Sequence, residues 1–303
     1  MKNKRMQVKK ERKEKEQKTQ QAERFVYEEL NLCEFPLTVL SKDPVFKPFE
    51  VKDTIIMEDE NILERKWIID GSLKYGIPIA VDEPVAMVIL ELIQNSGIKN
   101  ITNHYDIGFT TYEFCKKAGW PIDGLRYQKF NESFIRLGLA NYQTRYSFFK
   151  KEGQKKGEYM SHHFFRLFDD IKLYNIKPVG DKEVDDHLWE FKYNWVKLSS
   201  TLVESISKGN IKLTDLNFYL SLKKPISRRQ YRYYDKRFYH RGIFKMDIEK
   251  LAFVHLGLSK RGYTTKESYL KIYDLKRQLD IGHEELQKKG YLKTWKYEKG
   301  YII

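Results

Sequence analysis

The sequence of 303 residues contains only two cysteines, Cys33 and Cys115, which lie far apart and form no CxxC pair. A disulfide framework or a cysteine-ligated zinc site is therefore not expected, and a reducing cytoplasm suits this composition. No apolar run approaches the roughly 20 residues that a membrane-spanning helix needs. The N-terminus also lacks the apolar core of a secretion signal. These absences predict a soluble, intracellular protein.

Sequence signatures of catalysis are missing as well. There is no GxxxxGK[ST] phosphate loop, no HExxH motif and no pair of carboxylates at a spacing that suggests acid–base chemistry. His162 and His163 are adjacent, so in a strand they would point to opposite faces and make a poor metal site. Tyr231 lies among arginines, but the dispersed Arg/His/Arg set of a tyrosine recombinase does not stand out. We therefore expect a protein that is not an enzyme and needs no cofactor or metal.

Positive charge, in contrast, is abundant. The chain has 56 basic and 42 acidic residues, which gives a formal net charge of +14. Such a balance favours a polyanionic partner through long-range attraction. Nucleic acid is the leading candidate, and an acidic membrane surface is the second.

Composition divides the chain into an arm and two domains. Residues 1–24 hold ten Lys or Arg, four Glu and almost nothing apolar, which predicts a disordered basic arm. Such an arm would either lie along DNA phosphates or act as a solubilising tail. A polar, turn-rich stretch near Pro178 is typical of a boundary. We predict a first domain over residues 25–178, a linker over 179–186 and a second domain over 187–303.

Both domains show the same predicted order of elements, three helices followed by strand-like runs. In the first domain the helices are expected over VDEPVAMVILELIQNSG, FTTYEFCKKAGW and GLRYQKFNESFIRLG. In the second they are expected from Pro225, over DIEKLAFVHLG, and from about Lys266 to Lys289, before a hairpin in YLKTWKYEKGYII. This order predicts an α+β fold made of two tandem winged-helix domains, mostly helical with β-hairpin wings.

The third helix of each domain, with the strands after it, is the predicted DNA surface. In helix-turn-helix docking, the later helix enters the major groove with its N-terminal residues. The predicted contacts of the second domain are Lys266, Lys271, Tyr273, Lys276, Arg277, Lys293 and Lys296. The predicted contacts of the first domain are Lys129, Arg136, Arg145, Lys150 and Lys151. Glu132 shares the outward face of the first set, so weaker base readout is expected there.

The segment KPISRRQYRYYDKRFYHRG, residues 224–242, has seven Lys or Arg and five aromatic residues in nineteen positions. On a helical wheel its aromatic residues Tyr231, Tyr234 and Phe238 form an inward stripe. The cations that cluster roughly opposite are Arg228, Arg229, Arg232 and Lys236. Like charges at this spacing destabilise a helix by a few tenths of a kcal/mol per pair. We interpret the cluster as a DNA-binding or partner-binding face, with a merely solvated face as the alternative.

This segment, with NFYLSLKK before it, resembles the basic block of the plasmid replication initiator protein A family. Upstream, CEFPLTVLSK, ERKWIIDGSLKYGIPIAVDEPVAMVILEL and FTTYEFCKKAG resemble the N-terminal half of that family. The similarity spans roughly residues 33–292. Tyr234 departs from the pattern, because an aliphatic residue is common there.

The resemblance implies a replication initiator of a plasmid, phage or related mobile element. Such a protein is expected to bind repeated double-stranded sites at its origin, to promote opening of adjacent AT-rich duplex, and to recruit host initiator or helicase-loading proteins. It also implies a homodimer that represses its own gene and so controls plasmid copy number. Arg228, Arg229 and Arg232 match the basic block of the family, which implies contact with phosphate or with a partner.

Two other functions remain open at the level of sequence. The first is a winged-helix transcriptional repressor on the same fold. The second is a metal-dependent nicking initiator of the rolling-circle kind. Duplex opening or origin-dependent plasmid maintenance distinguishes an initiator from a repressor, and a metal-dependent nick would identify a nuclease.

Overall fold

The computed structural model describes residues 23–56, 60, 62–95, 105–152, 155–173, 193–239, 241–258 and 268–303. For residues 151–152, 155–156 and 268–271 it describes the backbone alone. Residues 1–22 of the predicted arm, the predicted linker 179–186 and Lys266 lie outside these ranges. Within them, no helix combines the length and the apolar character that crossing a bilayer demands.

The first half of the chain mixes strands with four helices in the part described. Its elements are β1 (Phe25–Glu29), α1 (Leu30–Glu34), β2 (Phe49–Ile56), β3 (Ile62–Asp70), α2 (Asp82–Asn95), β4 (Asp106–Phe109), α3 (Thr111–Ala118), α4 (Gly124–Leu139), β5 (Asn141–Arg145), β6 (Phe149–Glu152), β7 (Lys155–Tyr159), β8 (His163–Phe165) and β9 (Phe168–Lys172).

The second half is mainly helical. Its elements are β10 (Asn194–Leu198), α5 (Ser200–Ser207), β11 (Ile211–Asp215), α6 (Leu216–Ser221), α7 (Pro225–Phe238), β12 (Met246–Asp247), a π-helix (Lys250–His255), α8 (Ser268–Lys288), β13 (Tyr297–Glu298) and β14 (Tyr301–Ile302). The α+β class is confirmed.

The helices predicted for the first half are present and pack around a phenylalanine core. Helix α3 begins with a capping box, in which Thr110 and Glu113 each bond the backbone N–H of the other. On α4 an apolar stripe of Phe130, Phe134 and Leu137 is fully inaccessible to solvent. Burial of each such side chain contributes about 1.5–3 kcal/mol, so this stripe fixes α4 against the rest of the core.

An antiparallel sheet with the order β2-β3-β5-β8 contributes buried side chains to the same hydrophobic core. Its inward side chains meet across the strands, with Val51 opposite Trp67, Ile69 opposite Tyr142, and Tyr142 opposite Phe165. The alternation of buried and accessible residues along β3 follows the two-residue period of a strand. The sheet therefore has one face in the core.

Strand pairing joins the two halves. Strand β1 pairs with β11, with Phe25 opposite Asp215 and Glu29 opposite Ile211. Strand β10, which follows the predicted linker, pairs with β4 and β9 of the first half. Elements on both sides of the predicted boundary thus share sheets, and the N-terminal strand lies against the second half.

In the second half, α7 packs against α8 and the C-terminal strands form a small sheet with the order β12-β14-β13. The α-helix predicted over DIEKLAFVHLG differs from the structure, where Lys250–His255 is a π-helix. There the Leu256 N–H donates to the Leu251 carbonyl, five residues back, at 2.9 Å. The predicted order of helix, second helix, long helix and hairpin is otherwise present.

Candidate nucleic-acid interface

Helix α7 begins at Pro225, whose ring suits the first helical turn, and most of its residues between Ser227 and Tyr234 are buried. Its aromatic side packs as predicted. Tyr231 and Tyr234 are 4% and 2% exposed, and the Phe238 ring lies 6.0 Å from that of Tyr234. These aromatic residues belong to the core.

The opposite face of α7 is also buried, because acids from the first half cover it. The Arg229 side chain is 1% exposed, and its Nη2 lies 2.5 Å from Glu83 Oε2. The same nitrogen donates to the carbonyl and hydroxyl oxygens of Thr38 at 2.9 and 3.0 Å. Glu83 stands in the first turn of α2. Arg229 therefore ties α7 to α2 and to the segment after α1.

Arg232 makes the densest set of contacts on α7. Its Nε donates to Glu28 Oε2 at 2.5 Å, its Nη1 to Glu83 Oε1 at 3.0 Å, and its Nη2 to the Leu32 carbonyl at 3.1 Å. All three nitrogens of the guanidinium group are used, and the side chain is 2% exposed. The ion pairs of Arg232 with Glu28 and Glu83 are buried, so removing either partner would leave an uncompensated charge in the interior.

The last turn of α7 also pairs with an acid of the first half. The Lys236 ammonium lies 2.8 Å from Glu34 Oε2 and donates to the Leu30 carbonyl at 3.1 Å. Arg237 pairs with the other oxygen of the same carboxylate. Arg228 is half-buried, and its Nε donates to the Leu222 carbonyl at 2.8 Å.

The expectation that these cations form an outward basic face is therefore wrong for Arg229 and Arg232. Each is inaccessible to solvent and paired to glutamates of the first half. Lys236 is largely buried and paired as well. Acids from distant parts of the chain thus neutralise Arg229, Arg232 and Lys236 on this side of α7.

The pKa values of these acids follow their partners. Burial alone would raise the pKa of Glu28, but Arg232 and Lys212 outweigh it and hold the pKa below its usual value. The pKa of Glu34 is lowered despite burial, mainly by Lys236. The neighbouring Glu29 has uncharged partners at close range, among them Ser205, and burial raises its pKa.

Several of the predicted contacts on helix α8 and the C-terminal hairpin face solvent. Tyr273 is 68% exposed and the Arg277 side chain is 72% exposed, with its Nη2 3.3 Å from Asp274 Oδ1. Lys293 is exposed, and Lys296 is exposed while lying 3.2 Å from Glu298. Lys271 lies in the first turn of α8, where only the backbone is described.

Asp280 fastens the hairpin to α8. Its Oδ1 accepts hydrogen bonds from Trp295 Nε1 at 2.8 Å and from Tyr297 Oη at 2.7 Å. Burial opposes its ionisation, but the bonds from His283, Tyr297 and Trp295 hold the pKa of Asp280 below its usual value. One turn earlier, the Lys276 ammonium lies 5.2 Å from the centre of the Tyr297 ring. These contacts hold Trp295 and Tyr297, the residues on either side of Lys296, against α8.

The predicted contacts of the first half are scattered. Arg136 is 5% exposed and makes two bonds of 2.8 Å to Asp82, so its expected place on an outward face is wrong. Lys129 and Arg145 are exposed, whereas Lys150 lies 3.1 Å from Glu204. Only the backbone of Lys151 is described, in β6.

The two adjacent histidines differ in environment. His162 is exposed, whereas His163 is half-buried against the rings of Phe148 and Phe165, at 4.9 and 5.6 Å. Burial lowers the pKa of His163. Among the residues that the structure describes, no group of three or more His, Cys, Asp or Glu side chains is placed to hold a metal ion.

Sequence reasoning missed the acids that cover α7: Glu28, Glu34 and Glu83. They lie far from α7 in sequence, and Arg232 is separated from Glu28 by 204 residues. The available signal was the cost of repeated like charge on one helical face. Such a face is stable when acids from elsewhere in the fold neutralise it.

A family model described as replication initiator protein A matches residues 28–252. This chain belongs to that family. The matched region begins at Glu28, includes all of α7 and ends within the π-helix, so α8 and the hairpin lie beyond it.

Comparison with solved structures finds domains 2 and 3 of RctB, in two crystal structures. The first aligns over 86% of this chain and 85% of that chain, with 11% sequence identity and a TM-score of 0.45. The second aligns over 80% of each chain, with 12% identity and a TM-score of 0.42. No curated protein matches the sequence.

Proposed function

We propose that this member of the replication initiator protein A family binds repeated double-stranded sites at the origin of a plasmid or related mobile element. Multiple copies would strain the duplex, promote local opening, and recruit host initiator or helicase-loading proteins. The role is binding rather than catalysis, exercised in the cytoplasm on its own replicon. A homodimer that represses its own gene would supply copy control.

The observation that carries this proposal is the surface of α8 and the hairpin. Arg277, Lys293 and Lys296 face solvent on two elements that Asp280 holds together. We infer that α7, the π-helix, α8 and β13–β14 form a winged-helix module, with α8 in the major groove and the hairpin beside the phosphates. We further infer that α2, α3, α4 and the strands after them form the first such module.

Binding to DNA across a salt series tests the proposal. The full chain would be titrated with duplex from the noncoding DNA flanking its own gene and with a scrambled duplex. Six phosphate contacts predict a slope of about −5 in log affinity against log salt. Tight preference for direct repeats supports an initiator. Preference for one inverted repeat at the promoter favours a repressor, a metal-dependent nick favours a nuclease, and no preference contradicts the proposal.

A further inference from the structure

A pocket of about 240 Å³ lies in the second half, between the end of α7, residues 242–244, α8 and the C-terminal hairpin. Its walls are largely aromatic and aliphatic, and they include Tyr234, Phe238, Phe244, His283, Trp295 and Ile302. At its mouth stands Ile243, which is 75% exposed. An engineered apolar cavity of about 150 Å³ takes up benzene, so this pocket has room for one large side chain.

The buried polar groups of this pocket already have partners. Tyr234 Oη lies 2.6 Å from His283 Nε2. Trp295 Nε1 donates to Asp280, and His283 Nδ1 lies 3.6 Å from the same carboxylate. A polar group inserted beside these residues would lose its bonds to water without finding replacements. The inserted group is therefore apolar, which disfavours a nucleobase with its hydrogen-bonding edge.

The chain around the mouth is strongly basic. Residues 241–245 and 292–299 together contain five Lys or Arg and a single acid, Glu298. That acid already lies 3.2 Å from Lys296, itself a lining residue. Arg241, Lys245 and Lys293 are exposed and directly adjoin lining residues in the sequence. An occupant that carries acids beside its apolar group would match this charge.

We propose that the pocket is an anchor site for a partner protein, in which an acidic segment of the partner inserts one large apolar or aromatic side chain beside Phe238, Phe244 and Trp295. The site is separate from the buried ion pairs of α7. It does not depend on the DNA-binding role proposed above. Lys296 belongs both to the mouth of the pocket and to the predicted DNA surface. A partner protein and DNA would therefore both contact the hairpin.

A labelled peptide tests this inference directly. The probe has nine residues, with a central tryptophan flanked on both sides by aspartate and glutamate, and its anisotropy is measured against the full chain. We expect binding that weakens at least about tenfold when serine replaces the tryptophan, because the buried ring supplies most of the apolar contact. Replacing the flanking acids by lysine should weaken it similarly.

A pair of matched variants locates the peptide. Ile243→Asp changes an exposed residue at the mouth and should reduce affinity about tenfold while leaving the thermal midpoint unchanged. Ile281→Asp makes the same change on α8, at a residue 45% exposed that does not line the pocket, and should leave affinity unchanged. Equal losses in both variants would overturn the proposal.

One direct binding measurement and two competition measurements distinguish a protein anchor from other occupants. Equal binding of the serine peptide would mean that charge alone attracts the probe. Displacement by free indole as effective as by unlabelled peptide would identify a small-molecule site. If a single-stranded oligonucleotide displaced the peptide from the unaltered chain but not from the Ile243→Asp variant, the pocket would be a nucleic-acid site. Each of these results contradicts an anchor site for a partner protein. Displacement by the unlabelled peptide, but not by indole or by the oligonucleotide, supports it.

Discussion

Two helices of the second half carry clusters of cations, and the fold places them in opposite environments. On α7, Arg229 and Arg232 are 1% and 2% exposed and pair with glutamates of the first half. On α8, the Arg277 side chain is 72% exposed, and its ion pair is with Asp274 of the same helix. The comparison teaches that charge density does not identify a DNA surface. What distinguishes the two helices is whether acids from distant segments cover them.

The largest effect is expected where a buried pair is broken. Arg232→Met leaves Glu28 and Glu83 without their shared partner, and should lower the free energy of unfolding by about 3–5 kcal/mol. Arg277→Met is the matched control, and its surface position predicts a change within about 0.5 kcal/mol. Urea denaturation of both variants measures the difference. If the two variants had the same free energy of unfolding, the contrast between buried, paired cations on α7 and exposed cations on α8 would be wrong.

A smaller effect concerns base reading by α8. Arg277→Ala should narrow the gap in binding free energy between specific and random duplex by about 1–3 kcal/mol, because a bidentate contact to a base discriminates by that amount. Stability should stay unchanged. Titration of both duplexes at one salt concentration measures the gap. If affinity fell equally for both, Arg277 would be a phosphate contact and not a base reader.

Acid should change the free energy of unfolding in opposite directions through two buried glutamates, Glu34 at the α7 interface and Glu29 beside Ser205. The folded pKa of Glu34 lies below the unfolded value of about 4.3, so the stability that it contributes is complete above that pH and is lost below it. Each unit of lowering is worth about 1.4 kcal/mol. Glu29, with a raised pKa, instead gains stability as pH falls from its folded pKa towards about 4.3.

Two variants separate these contributions in denaturant unfolding followed from pH 7 to pH 3. Glu34→Gln should remove part of the fall in stability below about pH 4.3. Glu29→Gln should remove the gain in stability that accompanies the fall in pH towards about 4.3. Parallel pH profiles for the wild-type protein and Glu34→Gln would mean that the pairs of Lys236 and Arg237 with Glu34 do not govern acid sensitivity.

The smallest effect is expected from phosphate contacts on the hairpin. Replacing Lys293 and Lys296 together by Ala should make the salt slope shallower by about 2, alike for specific and random duplex. The matched control replaces the exposed pair Lys288 and Lys289 at the end of α8, where little change is expected. A shift of the same size in the control would mean that the lysines act through net charge rather than through contact.

The sequence was most informative where one element carries its own pattern. The apolar stripe of α4, with Phe130 and Phe134, is a local periodicity that can be read from the sequence, and the structure buries it. The Thr110 cap is likewise local, because its capping box spans only four residues. The aromatic stripe of α7 was identified for the same reason. Such patterns can be read from the sequence because residues a few positions apart lie side by side on a helix.

The sequence was least informative where distant segments meet. A helical wheel places Arg229 and Arg232 on one face but cannot say what covers that face, and the covering acids lie in β1 and α2. Arg136 was misplaced similarly, since Asp82 is 54 residues away. The pairing of β1 with β11 also joins the two ends of a long chain segment. Only tertiary packing determines these contacts.

Arginine modification by phenylglyoxal, read by mass spectrometry with and without bound duplex, tests the contrast between the two helices most directly. We predict that Arg277 reacts in the free protein and is protected by duplex. Arg229 and Arg232 should stay unreactive in both states and react only after unfolding. Reaction of Arg229 and Arg232 in the free folded protein, with protection by duplex, would contradict the account and restore α7 as the DNA surface.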